Sequence, residues 1–134
     1  GVPAKCCSGG TEVTAFNERA VASIRRSGFS VLAAEGSNPV YSVFYSDEDA
    51  PIKAFSKKYD NPVNKSGAFA AVMTCAHAEE NCPYIPGAEK RISLHYEDPK
   101  EFDNTPQEMT KYDERSLQIA GEMFYVFSQI HTGK

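Results

Sequence analysis

The 134-residue sequence lacks a long apolar run. Nothing in it approaches the roughly 18 apolar residues that a bilayer-spanning helix needs. It also lacks a basic block or stripe: Lys+Arg 14 stand against Asp+Glu 18, a net charge of -4. That balance argues against nucleic acid as the main partner, and no membrane partner is expected. Cysteine is sparse, with Cys6, Cys7, Cys75 and Cys82 alone. Small secreted scaffolds are much denser in cysteine, so a reducing, cytoplasmic compartment with buried or functional thiols is the better reading. There is no G-x-x-x-x-G-K-[ST] loop to cradle phosphates, and no cofactor is expected. Internal repeats and low-complexity tracts are absent too.

What is present suits one globular domain spanning residues 1–134: 41% apolar and 24% charged residues. The sequence opens on Gly1, with no charged-then-apolar leader after it. The expectation is a chain that has been processed, truncated or cut from something longer.

Val2–Cys7 reads as a short strand closed by Ser8-Gly9-Gly10. Asn17–Ser27 reads as a helix: Asn17 is a good N-cap, Val21 and Ile24 repeat at helical spacing, and Arg25 and Arg26 suit the last turn. Gly28 follows as a helix terminator. Residues 39–46 and 51–57 flank Asp47-Glu48-Asp49 and predict a β-hairpin at a sheet edge. Ala68–Met73 is short and wholly apolar, the pattern of a strand buried on both faces in a parallel sheet. Arg91–Tyr96 predicts another strand. Thr105-Pro106-Gln107-Glu108 fits an N-cap, a proline at the first helical position and a capping-box glutamate. Leu117, Ala120, Phe124 and Phe127 then form one apolar stripe, and Ile119, Met123, Val126 and Ile130 a second. They predict a helix whose wide apolar face packs on a sheet. Strands alternating with helices give an α/β layer fold. In such sheets ligands sit beyond the carboxyl ends of strands, which directs attention to the residues just past Met73 and Tyr96.

After Met73 comes Thr74-Cys75-Ala76-His77-Ala78-Glu79-Glu80-Asn81-Cys82-Pro83. Three readings of Cys75 and Cys82 stand side by side. They are inert thiols at a core edge, or a pair that closes after a local rearrangement and acts as a redox switch. The third is a zinc site using Cys75, His77, Cys82 and Glu79 or Glu80. A closed zinc site wants two closely spaced ligand pairs, and here only Cys75 and His77 are close. Asp98 precedes Pro99 after the next strand. It is either a turn residue or a general acid. No cysteine is followed six positions later by arginine: those positions hold Glu12, Val13, Asn81 and Ala88. An anion-binding Cys-x5-Arg loop is therefore missing from these residues.

From Phe69 to Ile130 the chain resembles the C-terminal half of the low-molecular-weight protein tyrosine phosphatase superfamily. The nearest likeness is to its thioredoxin-coupled arsenate reductase branch. The resemblance is carried by Ala71-Val72-Met73-Thr74-Cys75, by Cys75-x6-Cys82-Pro83, by Asp98-Pro99 and by the amphipathic last helix. Ser8–Glu12 and Asn17–Gly28 resemble the family's second strand and second helix. Glu79–Arg91 and the hairpin insertion, residues 38–61, resemble a bacterial phosphatase-like subgroup. The fold this implies is a three-layer α/β sheet with parallel core strands flanked by helices. It would lack the family's first strand and helix, leaving exposed apolar faces and strand edges.

The resemblance implies roles. Asp98 corresponds to the general acid that protonates the leaving oxygen. Cys75 and Cys82 correspond to the second and third cysteines of a reduction cascade, whose disulfide thioredoxin or another thiol reductant resolves. The nucleophilic cysteine and the phosphate-clamping arginine have no counterpart here. The function expected is a fragment of a phosphatase-like protein whose parent acts on phosphate esters or arsenate. By itself the chain is expected to be inactive in both reactions, and a second copy is expected to repair the open sheet. A non-catalytic binding module of the same fold and a small zinc-binding domain are the alternatives.

Overall fold

The computed structural model describes residues 3–81 and 84–130. They divide into two compact units. Of the described residues, the first comprises 3–4, 16–55 and 99–130, and the second 5–15 and 56–98.

The first unit starts with helix α1, Glu18–Arg26. Its boundaries follow local chemistry. The Asn17 carboxamide oxygen accepts from the Arg19 N–H at 2.8 Å, satisfying one of the amides that a helix start leaves unpaired. Gly28 closes the other end at φ +101, a left-handed turn that side chains resist. Three short antiparallel strands come next: β1 (Ser30–Ala33), β2 (Tyr41–Phe44) and β3 (Ile52–Ala54), with β2 in the middle. Val31 lies opposite Val43, and Tyr41 opposite Ala54. Strand alternation turns Tyr41 and Val43 inward together. They meet Val21 of α1 and Val31 in the core, with Phe16, Ile24 and Ala54 packed around them. Phe16 stands edge-on to Tyr41, ring centroids 5.7 Å apart. The expected hairpin is present, and the strand that extends it, β1, has no counterpart among the sequence expectations.

A 3-10 turn at Pro99–Phe102 leads to the long helix, Glu108–Ser128, which closes this unit against α1. Its start differs from the expected capping box. Gln107 holds the cap position and its side chain makes no cap bond. Thr105 turns its hydroxyl to the Phe102 carbonyl at 2.6 Å. Glu108 instead accepts from the Asn104 N–H at 2.6 Å. Asn104 sits at φ 62, a left-handed turn that asparagine tolerates better than most residues. The apolar stripes are only partly covered: Leu117 and Phe124 are 75% and 79% exposed. The reason is length. The nine residues of α1 span about 13 Å and the 21 of the long helix about 31 Å at 1.5 Å per residue.

The second unit contains β4 (Phe69–Met73), a short helix α2 (Ala76–Asn81) and β5 (Ala88–Ser93); the long helix of the first unit is thus α3. β4 and β5 pair in parallel, joined through α2. Residues 3–7 form no strand; Gly10 alone bridges to Lys58. The described residues therefore form a mixed α/β structure with two small sheets, a three-stranded antiparallel one and a two-stranded parallel one. Among the described residues β4 has one neighbour, and its pleat buries Met73 and leaves Val72 46% exposed beside Ile92 at 45%. That corrects the expectation of burial on both faces. The second strand runs 88–93 rather than 91–96, although its pairing with the β4 side continues beyond Ser93.

Candidate functional site

The carboxyl ends of the parallel pair bring two expected residues to one end of a sheet. Met73 and Ser93 are register partners. Past them, the Leu94 N–H donates to the Met73 carbonyl and the Tyr96 N–H to the Thr74 carbonyl, each at 3.0 Å. Cys75 is the next residue after Thr74, and Asp98 follows Tyr96 by two. Both are exposed. α2 begins directly after Cys75 and carries the exposed His77. His95 lies on the extension of the neighbouring strand, also exposed. No sequence signal singles out His95; its place is visible only once the parallel register is known.

Chemically, this end presents a thiol and a carboxyl group on adjacent chain segments within reach of solvent. An accessible thiol is what disulfide exchange requires. Cys82 lies outside the described residues. Among the described residues no group of three or more His, Cys, Asp or Glu side chains is gathered closely enough to hold a metal ion. Cys6 and Cys7 are exposed thiols in an irregular segment.

A second polar cluster lies between α1 and α3. Arg19 Nε donates to Glu108 Oε2 at 2.8 Å, and an Arg19 Nη donates to Asn104 Oδ1 at 3.0 Å. Arg26 grips Asp113 through Nε and Nη2, at 2.9 Å and 2.7 Å. The buried Ser23 hydroxyl donates to the same Asp113 at 2.6 Å. Tyr112 donates to Asp103 at 2.9 Å and accepts from the Asn17 carboxamide at 3.2 Å. The Asn104 amide, then Arg19, hold the Glu108 carboxyl below the usual carboxylate range. Arg26, then Ser23, do the same for Asp113. The guanidinium groups are correspondingly held more firmly charged, Arg19 chiefly by Glu108 and Arg26 chiefly by Asp113.

Beside this cluster runs an open groove of about 270 Å³, with Ala22 and Arg26 on one wall and Met109 and Tyr112 on the other. Its arginines are engaged by carboxylates of the same unit, so the cluster is a clasp joining two helices rather than an anion site. Sequence spacing gives no sign of it, because its partners lie some 90 positions apart.

Among the described residues no helix is long and apolar enough to cross a membrane. No family model, curated protein or solved structure matches the chain.

Proposed function

We propose that this chain carries the general-acid and thiol-relay part of a low-molecular-weight phosphatase-like or arsenate-reductase-like fold. The observation that supports the reading is that Cys75 and Asp98 follow the carboxyl ends of two paired parallel strands, whose pairing the Tyr96–Thr74 hydrogen bond continues. That end is where open α/β sheets do chemistry.

In this reading Asp98 gives its proton to the leaving oxygen. A cysteine nucleophile and its arginine clamp come from a segment outside these 134 residues. The open edge of β4 is where such a segment would add its strand. β4 is apolar at all five positions, Phe69-Ala70-Ala71-Val72-Met73, yet among the described residues it pairs only with β5. When arsenate is the substrate, the Cys75 thiolate attacks the sulfur of the cysteine–arsenate adduct. That forms a disulfide and releases arsenite, and arsenic takes up two electrons. Cys82 then attacks Cys75, frees the nucleophile and leaves a Cys75–Cys82 disulfide. Thioredoxin or a comparable dithiol supplies the two electrons that reopen it.

Mild oxidation of this chain followed by disulfide mapping tests the relay. The expected product is an intramolecular Cys75–Cys82 bond, lighter by two hydrogens, reopened by thioredoxin and abolished in Cys75→Ser. Oxidation that bypasses Cys82 refutes the relay. In a protein with the nucleophile loop present, Cys82→Ser is expected to abolish arsenate turnover and spare phosphate-ester hydrolysis. Unchanged arsenate turnover removes the reductase branch of the reading.

A further inference from the structure

Cys6 and Cys7 have no part in the thiol relay. Both are free, exposed and set in an irregular segment. Unpaired cysteine is ordinarily among the most buried residue types, so two side by side in solvent do not serve packing. The backbone on either side of them is nonetheless held. Before the pair, the Lys5 ammonium donates to the carbonyls of Val63 and Lys65, at 3.2 Å and 2.9 Å. After it, the Ser8 carbonyl accepts from the Asn64 carboxamide at 2.9 Å. Gly9 lies so close to the next segment that a Cβ there would stand 2.4 Å from Tyr59 Cα. Gly10 then donates to the Lys57 carbonyl at 2.9 Å and accepts from the Tyr59 amide at 3.0 Å. All these anchors belong to one unit, and the two thiols project from a strap fixed at both ends.

Adjacency decides what such a pair can do. Neighbouring Cα atoms are about 3.8 Å apart, below the roughly 4.4–6.8 Å at which disulfides form without strain. A direct bond of about 2.05 Å between the two sulfurs is therefore disfavoured. A third atom inserted between them, with sulfur bonds nearer 2.3 Å as in thiolate–metal sites, widens the ring and removes that strain. Among the described residues no group of three or more His, Cys, Asp or Glu side chains is close enough to hold a metal ion, so the pair offers two protein ligands. That number suits a soft centre which brings its own remaining ligand.

We propose that Cys6 and Cys7 form a two-sulfur clamp for a soft thiophilic centre, with a monosubstituted trivalent arsenical as the type ligand. In the capture step each thiol gives up its proton and two arsenic–sulfur bonds form. The arsenic-bound oxygen leaves as water with those two protons. Arsenic stays trivalent, so the step needs neither oxidant nor reductant. The anchored strap limits the backbone freedom lost on closing the ring. The clamp does not rest on the thiol relay and uses neither of its cysteines.

Phenylarsine oxide is the probe, applied to the full chain in a Cys75→Ser, Cys82→Ser background that removes the relay pair. Intact mass is expected to rise by one phenylarsine oxide less one water. The group is expected to survive an excess of monothiol and to be stripped by a dithiol. Adding either Cys6→Ser or Cys7→Ser is expected to abolish the monothiol-resistant label while leaving circular dichroism unchanged, since both side chains are exposed. No resistant label in the relay-free background overturns the proposal, and so does a label that survives Cys6→Ser. Where that background fails to fold, labelled wild type is cut with trypsin, whose peptide 6–19 holds both cysteines. The group is expected on that peptide; a label confined to the peptide bearing Cys75 overturns the clamp. The relay is judged separately, by disulfide mapping between Cys75 and Cys82, so the two readings fail independently.

Discussion

Ser23→Ala removes one hydroxyl from the clasp between α1 and α3. Ser23 is 2% exposed, and its Oγ donates to Asp113 Oδ1 at 2.6 Å, the oxygen that also takes Arg26 Nη2 at 2.7 Å. A hydrogen bond to a charged group contributes about 1.5–3 kcal/mol. The Asp113 side chain is 42% exposed, so water takes over part of the lost bond. The expected cost is therefore about 1–1.5 kcal/mol, or roughly 3–5 °C in unfolding temperature for a chain of this size. Denaturant unfolding at neutral pH measures it. The Asp113 carboxyl is depressed, first by Arg26 and then by Ser23. A depressed carboxylate stabilises the fold above its ordinary value of about 3.9, and that contribution drains away as pH falls through the lower folded value. The gap between wild type and Ser23→Ala is thus steady near neutrality and narrows in strong acid. In an Asp113→Asn background the same substitution is expected to cost less than half as much. An unchanged stability, or an equal cost in both backgrounds, refutes the reasoning.

Val21→Ala opens the core formed with Val31, Tyr41 and Val43. It is expected to cost about 2 kcal/mol, read by the same denaturant titration. Gly28→Ala forces a side chain into the left-handed turn that ends α1. It is expected to lower stability by about 1 kcal/mol; an unfolding temperature at or above wild type would show that the turn relaxes freely.

Local chemistry makes much of this fold legible in the sequence. Asn17 and Gly28 mark the ends of α1 because capping is decided within a few residues. The hairpin is readable from alternation around an acidic turn. β1 is not, because Ser30–Ala33 is a strand by virtue of pairing with β2, a tertiary fact. Periodicity in α3 announces an apolar face but not how much of it a nine-residue partner helix covers. Cys75 and Asp98 emerge from inspecting the chain just past the carboxyl end of each expected strand. Arg26 and Glu108 read as dipole and capping residues, and Arg19 and Asp113 carry no signal at all, since no spacing rule joins side chains so far apart in sequence.

The interrupted order of the first unit constrains how the chain is made. α1 and α3 are separated by the whole 56–98 segment of the second unit, and the Arg26–Asp113 pair spans 87 positions. A nine-residue helix is marginal in isolation, and closing so long a loop carries an entropic cost before any contact repays it. On the ribosome, synthesis proceeds at about 5–20 residues per second. α1 therefore waits several seconds for the helix that completes its packing. During that interval the apolar side chains of α1 and the three-stranded sheet have only each other, the state in which a nascent chain of this design is most exposed to aggregation and to chaperones.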